Sequence, residues 1–401
     1  FMILGCTLLS NLGLFKKRSF WLVVGISAIA FLPVLSWLIE QRFATFTFHL
    51  LNRVKRPNDG SFTLNYVANQ FLITGPLVGI LILPASLRHR AQNLWERGLK
   101  FSVLGVLTFL FLVSLKSWVE ANWSASAVIP MILLAFFFIR QQPKWSTWLI
   151  RLGIPSLILM AVFRLNLVFN FLPAFTGMRN EVHGWEAWAQ EIASIAQEDP
   201  VIFFNGYKYP AKYEFYTGGE TFPLNNYLYH KTQYENWPLE EQMQGRAVLF
   251  VSNYLLANMD TLQDPTGYPF YYRRISNFRS YNQVQVECLA PEALTFIQGD
   301  SIEVELRFTN QHNYPIDFAA NPEMPVHPIG IIFKEGVFFR HYRWKEEVFT
   351  QSLTPGESVT LRLPMTLDVE PGEYEWIFSL RTGWLEGSIG GSFEEIEVIA
   401  P

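Results

Sequence analysis

Ser19-Phe20-Trp21-Leu22-Val23-Val24-Gly25-Ile26-Ser27-Ala28-Ile29-Ala30-Phe31-Leu32-Pro33-Val34-Leu35-Ser36-Trp37-Leu38-Ile39 runs for 21 residues without a charge. At about 1.5 Å rise per residue, a helix of this length crosses the ~30 Å hydrocarbon core of a bilayer. Its apolar residues lie on every side, as befits a helix bathed in lipid. Similar runs occupy residues 71–87, 99–115, 125–139 and 148–165, and residues 1–9 are equally apolar. The reading is a helical membrane domain over residues 1–168 with about six spans. No charged stretch precedes the first run, so it does not read as a signal peptide. It reads as the tail of a membrane helix, and the chain as the C-terminal part of a longer protein.

Charge divides the chain at the same place. Up to Arg164 there are 16 Lys and Arg against 4 Asp and Glu, and thereafter 15 against 31. An acidic tail excludes nucleic acid as a natural partner. Lys16, Lys17 and Arg18, then Arg88, Arg90, Arg97 and Lys100, then Arg140, Lys144 and Arg151 fall in alternate connections. The positive-inside rule puts these in the cytoplasm. The loops 40–70 and 116–124, and everything after the last span, then face outward. Cys6 and Cys288 form no disulfide framework or metal pattern.

The tail reads in two parts. Residues 169–283 suggest a small α/β domain: a helical period over 185–196, a buried strand at Val201-Ile202-Phe203-Phe204, a helix over 209–216 and a strand over 245–251. Strand-helix-strand order implies a parallel sheet. Residues 284–401 alternate polar and apolar between Pro-Gly turns at 355–356 and 371–372, which suggests an immunoglobulin-like β-sandwich. Its Trp344, Trp376 and Trp384 suit either a core or a sugar-binding face.

The outward loops hold the candidate chemistry. Lys116-Ser117-Trp118-Val119-Glu120-Ala121-Asn122-Trp123-Ser124 combines a cation, a carboxylate, an amide and two indoles. Lys116 suits a lipid phosphate as a point charge. Glu120, Asn122 and Trp123 suit sugar hydroxyls and sugar faces. The same composition also describes an aromatic belt with solvated charges. Arg53, Lys55 and Arg56 break the positive-inside pattern, and such cations attract lipid phosphates or make ordinary headgroup contacts. Arg179, His183 and Trp185 follow the last span and either close over a site or pack at the domain junction. Lys208, Tyr209 and Lys212 follow the first strand, where α/β sheets present ligands, but no glycine-rich phosphate loop accompanies them. No catalytic triad or zinc spacing is present in the sequence.

Four segments carry a family likeness: Phe31-Leu32-Pro33-Val34-Leu35-Ser36-Trp37 with Phe43-Ala44-Thr45-Phe46-Thr47-Phe48-His49-Leu50; Gln70-Phe71-Leu72-Ile73-Thr74-Gly75-Pro76-Leu77; Glu120-Ala121-Asn122-Trp123-Ser124-Ala125-Ser126-Ala127; and Gly184-Trp185 with Ala211-Lys212-Tyr213-Glu214-Phe215-Tyr216. In order and spacing they resemble the bacterial GT-C membrane glycosyltransferases related to dolichyl-phosphate-mannose protein mannosyltransferases and lipid A aminoarabinose transferases. Ala121 and Ser124 stand where that family usually has prolines. The resemblance covers about residues 1–251 and leaves out the β-sandwich.

The resemblance implies an enzyme of the bacterial cytoplasmic membrane with its C-terminal domains outside. It would move a sugar, with inversion, from a polyprenyl-phosphate donor to a glycan, lipid or protein acceptor. It implies that the catalytic carboxylate lies in a loop ahead of this chain, so no catalytic residue is assigned here. Arg53, Lys55, Arg56 and Lys116 would meet the donor phosphate. Glu120, Asn122, Trp123, Arg179 and His183 would line the sugar or acceptor site. No cofactor is fixed by these residues, and relatives vary in their need for a divalent metal. The alternatives are a transporter or flippase of lipid-linked sugars, which calls for ionisable groups within the spans, and a membrane-anchored glycan- or protein-binding module.

Overall fold

The computed structural model describes residues 12–40, 60–172, 182–229, 232–265, 267–289, 295–334, 337–391 and 394–401. The chain divides into two compact units, Phe1–Phe171 and Leu172–Pro401.

The first unit is helical: α1 (Arg18–Glu40), α2 (Ser61–Leu72), α3 (Gly79–Arg88), α4 (Leu94–Ser114), α5 (Ala125–Ile139) and α6 (Pro143–Phe169). Among the described residues four helical stretches are long and apolar enough to cross a membrane: Arg18–Ile39, Leu94–Ser114, Ala121–Ile139 and Pro143–Phe169. None of residues 18–39 is buried within the protein, and Trp21, Leu22, Ile26 and Ile29 all point outward. A helix apolar on every side belongs in a membrane or in the interior of a larger assembly. The apolar stretch 1–9 lies outside the described residues.

The expected span over 71–87 is not one helix. It breaks between α2 and α3 at Thr74-Gly75-Pro76, where Gly75 takes φ +131° and Pro76 has no N–H to continue the ladder. The freed Leu77 N–H reaches Ser156 Oγ of α6 at 3.5 Å, a side-chain partner of the kind that lets a broken helix persist in an apolar setting. Ile82, Leu83 and Ala85 of α3 share a core with Val103 of α4 and Met131, Leu134 and Ala135 of α5.

The second unit opens with α7 (Trp185–Ala196), β1 (Val201–Phe204), α8 (Lys208–Thr217), β2 (Thr221–Leu224), α9 (Leu239–Met243), β3 (Val248–Ser252), β4 (Asp260–Gln263) and β5 (Pro269–Ile275). The strands form one sheet in the order β2-β1-β3-β5-β4. β1 is parallel to both β2 and β3, as the strand-helix-strand pattern implied, and β5 closes antiparallel. Successive side chains alternate faces. Val201 and Phe203 meet Trp185, Trp188 and Ile192 of α7, while Ile202 and Phe204 meet Met243 of α9. Burial on both faces is why this strand reads as an unbroken apolar run.

The remaining strands are β6 (Val284–Cys288), β7 (Thr295–Ile297), β8 (Ser301–Asn310), β9 (Ile316–Asp317), β10 (Val326–Lys334), β11 (Val337–Arg343), β12 (Ser352–Leu353), β13 (Ser358–Thr366), β14 (Gly372–Thr382) and β15 (Glu394–Ile399). They pair as β11-β10-β14-β15-β7, β13-β8-β6 and β12-β9. Val304, Leu306, Phe308 and Leu363 of the three-stranded sheet share a core with Ile332, Trp376, Phe378 and Val398 of the five-stranded one. Trp376 is inside that core, and Trp344 donates its indole N–H to the Pro364 carbonyl at 2.6 Å. Trp384 stands edge-on to Phe250 of β3. The tryptophans of this region therefore serve packing. Met324 and Leu385 also pack against Phe204, Phe222 and Phe250, so one core crosses position 283/284.

Candidate functional site

The connection between α4 and α5 is built on the first turns of α2. The Thr63 hydroxyl donates to the Ser114 carbonyl at 3.0 Å, and the Lys116 and Ser117 N–H groups turn back to the Val113 carbonyl at 3.0 and 2.9 Å. Phe62 meets Trp118 edge-on, ring centroids 6.1 Å apart. Val119 is buried with Tyr66 and Leu110, and Trp123 packs half-buried on the same cluster. Tyr66 is fixed in turn by donating to the Leu107 carbonyl at 2.7 Å. Glu120 leads a single 3-10 turn, Ala121–Ser124, which the Trp123 N–H closes on the Glu120 carbonyl at 3.1 Å.

This arrangement sorts the loop into two faces. Val119 and Trp123 face the helices, and the side chains of Lys116, Glu120 and Asn122 are exposed. A cation, a carboxylate and an amide thus stand on one short, anchored segment. Such a set can hold a phosphate by charge and sugar hydroxyls by hydrogen bonds. Trp123 offers less free ring surface than its sequence suggests, because part of it is packing.

Arg53, Lys55, Arg56 and Arg179 lie outside the described residues, as does His49. His183 belongs to the second unit, half-buried just ahead of α7. Its neighbour Trp185 is a core residue, stacked edge-on against Trp188 at 5.3 Å. The Lys212 ammonium sits 3.3 Å from the Trp185 ring centroid, and Lys208 lies over Trp185 and Tyr209 at 5.7 and 5.6 Å. These lysines are bound up in cation–π contacts. Lys100, expected as part of a basic loop cluster, has a structural task. It donates to the carbonyls of Ser86, Leu87 and His89 at 3.0, 2.5 and 2.9 Å, closing the end of α3.

Sequence reasoning passed over a second polar region, at the carboxyl ends of the parallel strands. Asn205 Oδ1 accepts from the Asn226 N–H, and Asn225 Oδ1 accepts from the Gly206 N–H, each at 2.8 Å. Asn225 donates to Glu235, and Asn226 Nδ2 donates to Glu386 at 2.5 Å. Asn205 and Gly206 both have positive φ, +59° and +78°, which Asn and Gly tolerate best. The dipeptides Asn205-Gly206 and Asn225-Asn226, each directly after a buried run, were the signal available. Elsewhere in this unit a cavity of about 460 Å³ is lined by Asn258, Asp260, Tyr272, Arg273 and Arg274. Its arginines are engaged: Arg274 with Asp199 and the Ile195 carbonyl, Arg273 over the Trp384 ring. Among the described residues no cluster of His, Cys, Asp and Glu is placed to hold a metal.

No protein-family model matches this chain, and no curated protein does. Among solved structures, it is similar to a CARDB domain from Pyrococcus furiosus, at 15% identity over 29% of this chain and 94% of that one, TM-score 0.19. A Niemann-Pick type C2 protein from the Japanese carpenter ant gives 10% identity over 30% and 96%, TM-score 0.23. The Pseudomonas fluorescens alkylpurine DNA glycosylase AlkC gives 13% identity over 30% and 32%, TM-score 0.21. At these scores the likenesses carry no argument about this chain.

Proposed function

We propose that this protein is a membrane glycosyltransferase that takes a sugar from a polyprenyl-phosphate donor and delivers it to an acceptor on the outer face of a bacterial cytoplasmic membrane. The observation that carries the reading is the α4–α5 connection. Lys116, Glu120 and Asn122 stand exposed on a segment held by Thr63, Phe62 and Tyr66, next to helices able to span a bilayer. The family-like segments of the sequence add to it. Lys116 meets the donor phosphate, and Glu120, Asn122 and Trp123 meet sugar or acceptor. The basic residues Arg53, Lys55 and Arg56 precede α2 in the chain and act on the same phosphate. The general base is not assigned among these residues. In this reading α2 and α3 together cross the membrane once, and the acidic tail, with an immunoglobulin-like sandwich at its end, lies outside.

One observation favours a second reading, a transporter of lipid-linked sugars. The helix break at Gly75-Pro76 lies close to Gln70, a buried amide on α2, and broken helices line substrate sites in secondary transporters. Full-length protein in vesicles with a radiolabelled polyprenyl-phosphate sugar separates the two. Release of polyprenyl phosphate with label on an acceptor supports the transferase. Movement of intact donor between leaflets, without release, overturns it.

A further inference from the structure

The carboxyl edge of the parallel sheet in the second unit is built from three strands that end in register. Phe204 of β1 stands opposite Leu224 of β2, and Phe203 opposite Val251 of β3. Each strand is followed within a few residues by a tyrosine: Tyr207 after β1, Tyr229 after β2 and Tyr254 after β3. The chain leaves β1 to pair on one side with β2 and later returns to pair on its other side with β3. That makes the β1/β3 edge a topological switch point, where the connections diverge and open α/β sheets bind their ligands.

The three tyrosines follow the ends of adjacent strands in that sheet. The Tyr229 hydroxyl lies so close to Gly206 that a methyl group added at that glycine would stand 2.6 Å from it. Burial raises the Tyr229 pKa, and Tyr207 and Tyr254 act in the same direction. Tyr207 and Tyr254 are each 57% exposed. The segments that follow β1 and β2 are tied together by the reciprocal bonds of Asn205 with Asn226 and Asn225 with Gly206. Asn253, between Ser252 and Tyr254, is also exposed.

We infer that this edge is a binding site for a neutral saccharide, stacked on Tyr207 and Tyr254 and hydrogen-bonded by phenol and amide groups. Aromatic faces pack on the C–H faces of pyranose rings, while phenols and amides both give and accept hydrogen bonds to hydroxyls. Phenol and amide groups pair with hydroxyls by giving and accepting hydrogen bonds, which suits a sugar ring rather than a phosphate or a nucleotide, whose usual partners are cations. Ordered tyrosines lose little freedom on binding, having few torsions to fix. The inference stands on the second unit alone and does not rest on the transferase reading.

The test uses the full chain in detergent micelles with two neutral probes, mannotetraose and cellotetraose, observed by saturation-transfer NMR and titration calorimetry. The expected result is millimolar or tighter binding of at least one probe. The double variant Tyr207→Ser/Tyr254→Ser weakens that binding by about tenfold or more. Tyr207→Phe, which keeps the ring, retains most of it. Thermal unfolding of each variant reports whether the fold is intact, and Asn253→Ala, remote from the core, gives a second variant expected to weaken binding if the double variant does not fold. Binding of neither probe, equal binding by folded variants, or preference for an apolar tetrapeptide over both sugars would overturn the proposal.

Discussion

The Thr63 side chain hydrogen-bonds the Ser114 carbonyl at 3.0 Å, tying the first turn of α2 to the last turn of α4. The loop that follows is held by this bond, by the Phe62–Trp118 contact beside it and by the packing of Val119 and Trp123 on Tyr66. Thr63→Val keeps the shape and removes the donor, at a cost of about 1 kcal/mol. Trp118→Ala removes an aromatic pair worth about 1 kcal/mol beyond its buried area. Both variants are expected to lower the unfolding temperature modestly and to raise KM for the lipid donor more than they lower kcat. Unchanged KM in both would show that the loop does not depend on this anchor.

The helix break sets a second expectation. A Cβ at Gly79 would overlap the Phe71 carbonyl oxygen. Gly79→Ala therefore forces α3 away from α2 and is expected to destabilise by about 1–3 kcal/mol, as overpacking does. Gly153→Ala has open space around it and serves as the control. The melting temperatures of the two variants in the same detergent are the measurement.

Lys100 gathers three carbonyls at the end of α3. Lys100→Met retains the stem and removes every bond. Hydrogen bonds to a charged group contribute roughly 1.5–3 kcal/mol, so the loss is expected to exceed that of Lys144→Met, an exposed control. Equal melting temperatures for the two would contradict the capping role.

The tail is expected to weaken in acid. His312 is buried, with the Glu240 carboxylate 4.0 Å from Nδ1 and the Tyr314 ring 4.6 Å away. Burial lowers its pKa to about 4, against an unfolded value of about 6.5. Below 6.5 the unfolded chain takes up a proton that the folded protein does not, so stability is full above about pH 6.5 and falls as pH drops toward 4. The loss amounts to about 3 kcal/mol by pH 4. His312→Gln is expected to flatten that part of the stability profile, read from chemical denaturation at pH 7.5 and 4.5.

How far this could be read from sequence depended on whether the deciding contact was local. The 185–196 helix was legible because Trp185, Trp188 and Ile192 recur on one face. The strand at Val201–Phe204 was legible because both its faces are apolar. Thr221–Leu224 carries Pro223, a residue that speaks against a strand; the strand forms at the sheet edge, where the missing N–H is harmless. Hydropathy ran 71–87 together across the end of α2 and through α3, because it does not weigh the N–H that Pro76 lacks, and it left residues 61–70 of α2 in the outward loop. The loop 116–124 was legible as a polar, aromatic segment. Which residues turn inward was not, because Val119 and Trp123 are claimed by Tyr66, 53 residues away from Val119 in the chain. Tyr207, Tyr229 and Tyr254 come together only once the sheet forms.

The central claim is that the exposed face of the α4–α5 loop handles a lipid-phosphate sugar. The direct measurement is sugar transfer by the full-length protein from a polyprenyl-phosphate donor, compared among wild type, Lys116→Ala, Glu120→Gln and Asn122→Ala. Lys116→Ala is expected to raise KM for the donor roughly tenfold with kcat little changed, and the other two to lower kcat/KM by about tenfold or more. Transfer at wild-type rates and KM in all three variants, with the fold intact, would contradict the account.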